Sequence, residues 1–188
     1  MEILTKEEFE LEKNDILERI RDGAIFIHPT DTIYGIGCSA LDENAVKMVR
    51  EIKGRVSNPF SIIAPSKKWI YDNLEINDSV KEWVEKLPGP LTLILKRNDG
   101  KLAEGVAPGL NTLGVRIPNH WFSSLIKELG SPIITTSANK VNENFMTSLD
   151  NIDAVIKEKV DFIIYEGEKH GKPSKLVDLT KEVEIIER

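Results

Sequence analysis

Three short polar segments of the chain carry the residue types that bind phosphate groups and small anions. They contain small hydroxyls, an amide and closely spaced cations, and each lies at the end of an apolar run. In chain order they read Pro29-Thr30-Asp31-Thr32-Ile33-Tyr34-Gly35, Lys53-Gly54-Arg55 and Thr135-Thr136-Ser137-Ala138-Asn139. No one of them is decisive alone, but together they predict a site for a phosphorylated nucleotide and a small anion.

The first segment offers the hydroxyls of Thr30 and Thr32, and the glycines Gly35 and Gly37 would let backbone N–H groups approach a ligand closely. A turn at a strand end, whose threonines satisfy only the local backbone, is the alternative. For this segment in isolation the turn is the better interpretation.

Lys53 and Arg55 flank a glycine that ends a predicted helix. Cations at a helix C-terminus stabilise the helix dipole, so capping explains them as well as a phosphate clamp does. Asn58 just beyond adds an amide that could contact a base or a phosphate.

The third segment contains Ser137, which lacks the Gly-x-Ser-x-Gly turn of an activated serine nucleophile. The three histidines have neither triad nor metal-ligand spacing, so no metal site is predicted. His28 is expected in the core, and Cys38 is not expected to be a catalytic thiol. No Walker A motif and no Gly-x-Gly-x-x-Gly occur, so any ATP would bind without a P-loop.

Arg116 is a lone cation in the otherwise apolar strand pattern Gly114-Val115-Arg116-Ile117. A buried charge is costly unless it is compensated. The arginine therefore either pairs with an acidic side chain or binds a ligand carboxylate.

Helical and strand patterns alternate along the chain, which predicts a single α/β domain over residues 1–188 with a mixed sheet flanked by helices. Thr5 and Glu8 form a capping-box pattern, and Gly23 and Gly54 are helix stop signals. Predicted helices span residues 5–22, 42–53, 67–74, 79–87, 120–129 and 148–159. Predicted strands span residues 24–27, 60–64, 91–96, 112–118, 132–136, 160–165, 176–179 and 183–186, with long loops at 97–111, 139–147 and 166–175.

The composition is that of an ordinary globular protein, with 188 residues, 40% hydrophobic and 30% charged. A net charge of −6 argues against a broad nucleic-acid-binding face but permits a compact anion site. No apolar stretch approaches the length of a membrane span, and the N-terminus has no signal- or transit-peptide character. A single cysteine fits a reducing compartment. We therefore expect a cytoplasmic protein with no membrane association.

Read in order, six segments resemble the YrdC-like threonylcarbamoyl-AMP synthase family, over residues 23–188. They are Pro-Thr-Asp-Thr-Ile-Tyr-Gly from residue 29, Lys-Gly-Arg with Asn-Pro-Phe from 53, Pro-Gly-Pro-Leu-Thr-Leu-Ile-Leu from 88, Gly-Val-Arg-Ile-Pro-Asn-His from 114, Thr-Ser-Ala-Asn from 136 and Pro-Ser-Lys-Leu-Val-Asp-Leu-Thr from 173. The resemblance implies a twisted, mixed-sheet α/β fold with a deep cationic cavity, in the single-domain form without a C-terminal extension.

The resemblance also implies a reaction. L-threonine, bicarbonate (or CO2) and ATP would become threonylcarbamoyl-AMP and pyrophosphate, the first step of the t6A modification of tRNA. Mg²⁺ would be carried on the triphosphate, and the product would pass to a protein complex that transfers it to tRNA.

Site residues follow from the resemblance position by position. Those that would hold threonine are Thr32, Arg116, Ser137 and Ser174, with Thr30 and Tyr34 contributing. Those that would bind the nucleotide are Lys53, Arg55, Asn58, Thr112, Asn139, Thr147 and Arg188. Lys53 and Arg55 would also be catalytic, by neutralising charge on the phosphates. Thr112 and Arg116 lie four apart on one strand, so their side chains share a face.

The chain departs from the family pattern at Val56, at Lys140-Val141-Asn142 and at Lys175. Two other functions remain possible at this point. One is a YrdC-fold module that binds RNA or tRNA without catalysis, which the acidic balance disfavours. The other is a carbamoyl-transfer relative of hydrogenase maturation, whose acylphosphatase-like and zinc-finger parts are not found in this chain.

Overall fold

Strands form the centre of the molecule and helices cover them. The computed structural model describes residues 1–98 and 101–187. Within these residues the strands are β1 (Glu2–Leu4), β2 (Phe26–His28), β3 (Gly35–Gly37), β4 (Ser61–Ile63), β5 (Leu91–Lys96), β6 (Thr112–Arg116), β7 (Ile133–Ser137), β8 (Phe162–Ile164), β9 (Lys175–Asp178) and β10 (Glu184–Ile186). The helices are α1 (Lys6–Leu11), α2 (Lys13–Arg21), α3 (Glu43–Lys53), α4 (Lys67–Asn73), α5 (Asp78–Glu85), α6 (Phe122–Leu129) and α7 (Ala154–Lys159), with short 3₁₀ turns at Glu104–Val106 and Leu149–Asn151.

The described strands form one mixed sheet in the order β1-β8-β2-β3-β7-β4-β6-β5-β9-β10. Strands β1, β8 and β2 pair in parallel, as do β4 with β6 and β5 with β9. The other neighbours are antiparallel. The predicted α/β domain with a mixed sheet is therefore confirmed.

Both faces of the central strands are buried, because alternate residues enter two different hydrophobic cores. Ile62 and Ile134 face one core, while their neighbours Ile63 and Ile133 face the other. Helices α3, α4, α5 and α7 contribute to the first core, and α1, α2 and α6 contribute to the second. No helix among the described residues is both long and apolar enough to cross a membrane.

Helix ends follow the predicted signals, with two corrections. Thr5 and Glu8 form the capping box, and Gly54 ends α3 in the left-handed region at φ +61°. The helix predicted over residues 5–22 is two helices, because Glu12 leaves helical geometry at φ −101°, ψ 11°. The helix predicted over 148–159 begins only at Ala154, since the Asp153 carboxylate caps the N–H groups of Val155 and Ile156.

Strands β1 and β3 were not predicted. The three residues of β1 are too short to show a pattern, and β3 contains two glycines, a residue type depleted in strands. The two glycines, Gly35 and Gly37, leave space for the imidazole ring of His28. A Cβ at Gly35 would lie 3.0 Å from the His28 imidazole, and one at Gly37 would lie 3.1 Å from it. His28 is itself buried and stacks on Phe122 with ring centroids 4.7 Å apart.

Gly130 allows a test of how much a glycine in the left-handed region at a helix C-terminus contributes to stability. It follows α6 at φ +76°, and a Cβ there would have no atom within 4 Å, so only backbone geometry disfavours a side chain. We expect Gly130→Ala to lower the free energy of unfolding, measured in urea, by about 1 kcal/mol. Gly89→Ala is the control, because Gly89 has no positive φ and its Cβ would meet only the Lys86 carbonyl oxygen at 3.6 Å. Equal losses in the two variants would contradict the expectation.

Candidate active site

A cavity of about 270 Å³ opens above the middle of the sheet. Its lining crosses the neighbouring strands β3, β7, β4, β6 and β5 and reaches the residue before β9. Two cations and many small hydroxyl residues form it. The lining residues are Thr30, Thr32, Ile33, Tyr34, Gly35, Arg55, Pro59, Ser61, Thr92, Arg116, Thr135, Thr136, Ser137, Asn139, Phe145, Pro173 and Ser174.

Arg116 ends β6 and is almost wholly buried, at 6% exposure of the residue. One of its terminal nitrogens lies 2.5 Å from Asp31 Oδ1, and both terminal nitrogens lie 3.4 Å from Thr32 Oγ1. The second oxygen of Asp31 accepts the backbone N–H of Asn119 at 2.9 Å. Arg116 was predicted either to pair with an acidic side chain or to bind a ligand carboxylate. Asp31 is the acidic partner, and Arg116 also lines the cavity, where a ligand could reach it.

The hydroxyls of Thr30 and Thr32 form a directed chain beside Arg116. The Thr30 hydroxyl donates to the Ile33 carbonyl at 2.7 Å, which uses its only hydrogen. The contact of 3.0 Å between the two hydroxyls therefore has Thr32 as donor, and Thr32 accepts from Arg116. Both threonines are buried, so the turn between β2 and β3 is fixed by polar contacts at the cavity wall.

Residues 166–174 form a loop that rests on this turn. The Tyr34 hydroxyl donates to the Gly167 carbonyl at 2.7 Å and accepts the Glu166 N–H at 3.1 Å. Lys169 Nζ donates to the Thr30 carbonyl at 2.9 Å. The backbone at Gly171 approaches so closely that a Cβ there would lie 2.1 Å from the Thr32 carbonyl oxygen. The loop brings Ser174 to the cavity.

Glu166 anchors the same loop through its carboxylate. It accepts from His120 Nε2 at 2.9 Å and from Trp121 Nε1 at 2.7 Å, and Lys169 Nζ lies 2.5 Å from it. His120 Nδ1 accepts the Phe122 N–H, so Nε2 carries the hydrogen given to Glu166. Burial alone would raise the pKa of Glu166, but hydrogen bonds from His120, Lys169 and Trp121 outweigh burial and hold it at about 2.

Thr92 and Ser174 form a buried pair of hydroxyls on the cavity wall. Their oxygens lie 2.7 Å apart, and the two residues are 1% and 3% exposed. Thr92 projects from β5, whereas Ser174 comes from the loop before β9. The pair therefore joins the loop to the sheet at the cavity.

Lys53 holds the chain where it leaves β7. Its Nζ donates to the Ser137 carbonyl at 2.6 Å, to Asn139 Oδ1 at 2.9 Å and to the Asn139 carbonyl. Only an ammonium has enough hydrogens for all three oxygens. Burial, helped by the charge of Arg55, lowers its pKa to about 7. Lys53 is not among the lining residues, whereas the Ser137 and Asn139 that it holds are.

Arg55 reaches the cavity, and several other predicted residues do not. Its guanidinium donates to the Pro59 carbonyl at 3.2 Å and lies 5.3 Å from the Phe60 ring. Asn58 is exposed, Thr112 pairs with Lys96 in the sheet, and Thr147 Oγ1 accepts from the Asn151 amide. None of these three is a lining residue. Arg188 lies outside the described residues.

Comparison with known proteins assigns the chain to a family. The model of the Sua5/YciO/YrdC family, described as "Telomere recombination", matches residues 18–188. The chain belongs to the Sua5/YciO/YrdC family. The resemblance drawn from the six sequence segments is thereby confirmed.

Relatives in the Sua5/YciO/YrdC family carry the name expected from these segments. A putative threonylcarbamoyl-AMP synthase of Methanocaldococcus jannaschii is 40% identical over 178 residues, which cover 90% of this chain and 83% of that protein. The threonylcarbamoyl-AMP synthase of Pyrococcus abyssi is 37% identical over 171 residues, covering 86% of this chain and 49% of that protein.

A solved structure agrees with these relatives. The crystal structure of P. abyssi Sua5 complexed with L-threonine matches with a TM-score of 0.84 and 33% identity, covering 96% of this chain and 54% of that one. The chain thus spans about half the length of the P. abyssi protein.

Several residues that line or support the cavity were not singled out as site residues from the sequence. Thr92 had a visible signal, since it is a hydroxyl residue inside the otherwise apolar pattern of β5. Asp31, Glu166 and Lys169 had none, because their partners are distant in sequence and only the sheet order brings them together.

The carboxylate of Glu166 gives a pH-dependent prediction. Its folded-state pKa of about 2 lies below the ordinary value of 4.5, so the ionised form stabilises the fold above pH 4.5. That contribution is lost as the pH falls from about 4.5 to about 2. We expect the difference in free energy of unfolding between wild type and Glu166→Gln to shrink between pH 6 and about pH 2.5, measured by urea denaturation. A difference that stays constant with pH would show that the carboxylate charge contributes nothing.

Proposed function

We propose that this chain is a threonylcarbamoyl-AMP synthase, which converts L-threonine, bicarbonate (or CO2) and ATP into threonylcarbamoyl-AMP and pyrophosphate. The observation that carries the proposal is the pairing of two cations in one hydroxyl-lined cavity. Arg116 lies beside the Thr32 hydroxyl, and Arg55, Ser137 and Asn139 line the same cavity. The names of the relatives, and a solved relative complexed with L-threonine, support the same conclusion.

In this proposal Arg116 receives the threonine carboxylate. A guanidinium binds a carboxylate with two parallel hydrogen bonds, which fixes orientation as well as charge. Asp31 keeps the guanidinium in place, and Thr32 and Ser174 supply hydroxyls near it. Ser137 joins this set from β7. Thr30 and Tyr34 act through the turn that they stabilise.

The nucleotide would occupy the part of the cavity near Arg55 and Asn139. Lys53 contributes charge close by and holds Ser137 and Asn139 in position. Asn58, Thr112, Thr147 and Arg188 stay predicted nucleotide ligands. The lining offers cations and hydroxyls rather than carboxylates, and the described residues contain no group of three His, Cys, Asp or Glu able to hold a metal. We therefore assign Mg²⁺ to the substrate, as MgATP.

The reaction needs positioning and charge neutralisation more than a protein nucleophile. The threonine amine adds to CO2 and loses a proton, which gives a carbamate. A carbamate oxygen then attacks the α-phosphorus, and the bond to pyrophosphate breaks. Charge builds on the phosphate oxygens during this step, and Arg55 and Lys53 are the cations that would stabilise it.

The cellular context is proposed on the same grounds. We propose that the adenylate passes to a protein complex that transfers the threonylcarbamoyl group to tRNA. We propose a cytoplasmic location, because a single free cysteine suits a reducing compartment. Direct binding of nucleic acid is expected to be weak, since the net charge is −6.

The proposal is tested by pyrophosphate release from MgATP in bicarbonate buffer. Release should depend on L-threonine and should fall to background in the Lys53→Ala/Arg55→Ala double variant. No threonine-dependent release above that variant would contradict the proposal. Tight RNA binding with a steep salt dependence and no turnover would favour the RNA-binding alternative instead.

Arg116→Lys tests the carboxylate assignment separately. Lysine keeps the charge but loses the planar fork, so we expect the KM for threonine to rise about tenfold or more, while the KM for ATP changes less than about twofold. Thermal unfolding of the variant verifies that the protein remains folded. An equal rise of both constants, or no rise in either, would argue against Arg116 as the carboxylate ligand.

A further inference from the structure

Arg50, in the last turn of α3, uses its guanidinium to hold a stretch of loop backbone beside the cavity. Its Nε donates to the Gly105 carbonyl at 2.7 Å. One terminal nitrogen donates to the carbonyls of Arg55 and Val56, both at 3.3 Å, and the other donates to the Asn58 carbonyl at 3.1 Å. All four acceptors are backbone oxygens.

Residues 55–58 need such a donor because they belong to no strand or helix. Gly54 turns the chain out of α3 in the left-handed region, and the Arg55 N–H then closes back on the Arg50 carbonyl at 3.0 Å. The carbonyls that follow have no sheet partner, so the side chain of Arg50 takes the place of a neighbouring strand. Five donors in a rigid fork suit this task, whereas a lysine ammonium has three donors at a single atom.

Phe60 links Arg50 to Arg55. The Arg50 guanidinium lies 4.8 Å from the centre of the buried Phe60 ring, and the Arg55 guanidinium lies 5.3 Å from it. The Phe60 N–H donates to the Val106 carbonyl at 2.8 Å. A cation over an aromatic face is attracted by the ring. Arg55 therefore lies against a surface that Arg50 and residues 104–106 hold in place.

The 3₁₀ turn Glu104–Val106 supplies the other side of this arrangement. Gly105 sits against α3 so closely that a Cβ there would lie 2.9 Å from Val46 Cγ1. A side chain at position 105 would therefore force Val46 or the turn to shift, which would disturb the contact between the Gly105 carbonyl and Arg50. Residues 104–106 thus support the segment that carries Arg55 and Asn58.

We propose that Arg50 is a positioning residue for the nucleotide: it fixes residues 55–58 so that Arg55 and Asn58 present their side chains to the phosphates or base of MgATP. This inference rests on the proposed function, because it assumes that this part of the cavity binds ATP. Arg50 itself touches neither substrate. It restricts the conformations of residues 55–58 in the unliganded protein, so less conformational entropy is lost when the nucleotide binds.

The test compares Arg50→Lys with Arg19→Lys. Arg19 is a matched control because it also lies in the last turn of a helix and stacks on a buried phenylalanine, with its guanidinium 4.6 Å from the Phe162 ring. Two readouts are taken on the full chain. One is hydrogen–deuterium exchange of peptides covering residues 55–60, and the other is calorimetric titration with MgATP and with L-threonine.

We expect Arg50→Lys to speed exchange in residues 55–60 and to weaken MgATP binding about tenfold, because several hydrogen bonds to the loop are lost together. Threonine binding should change less than about twofold. Arg19→Lys should leave the exchange of residues 55–60, the MgATP affinity and the threonine affinity unchanged. Faster exchange with unchanged MgATP affinity, or equal weakening of both ligands, would overturn the inference.

Failure of the proposed function would look different. It would be seen in the wild type, as the absence of threonine-dependent pyrophosphate release. Failure of the inference would instead be seen with a wild type that binds MgATP, as an Arg50→Lys variant that binds MgATP equally well or that loses affinity for MgATP and threonine alike.

Discussion

The compensation of one buried charge constrains the rest of the cavity. Arg116 ends the central strand β6, where it follows the buried Leu113 and Val115, and is itself only 6% exposed. Removing one partner of such a buried pair typically costs about 3–5 kcal/mol. Asp31 must therefore stay within hydrogen-bond distance, and this requirement fixes the turn between β2 and β3. Thr30, Thr32 and Tyr34 then follow at defined positions.

The cavity has one cation at Arg116 and one at Arg55. Each is held in place by backbone carbonyls or by buried polar groups. Near Arg116, the loop anchored by Glu166 brings Ser174 against Thr92. Near Arg55, Lys53 holds the exit of β7 and Arg50 holds residues 55–58. Little of this order has to be created when substrates bind, which suits a reaction that depends on positioning.

Sequence patterns predicted the alternation of helices and strands, the helix caps at Thr5 and Gly54, and the polar segments that meet at the cavity. Periodicity could not find β1 or β3, because one is very short and the other is made mostly of glycine. Thr112 lies four residues before Arg116 and so shares its face of β6, but it does not line the cavity. Residue spacing predicts which face of a strand a side chain is on, and not whether the cavity extends that far along the strand. The partners of Arg116 and of the 166–174 loop depend on sheet order, which local patterns do not encode.

In the proposed function, this cavity joins threonine, bicarbonate and the adenylate of ATP in one product. Mass spectrometry of the reaction with ¹³C-labelled bicarbonate tests it most directly. We expect the label in threonylcarbamoyl-AMP, and no such labelled product when L-threonine is left out. Threonine-dependent turnover of ATP with no ¹³C label in any adenylate product would contradict this assignment.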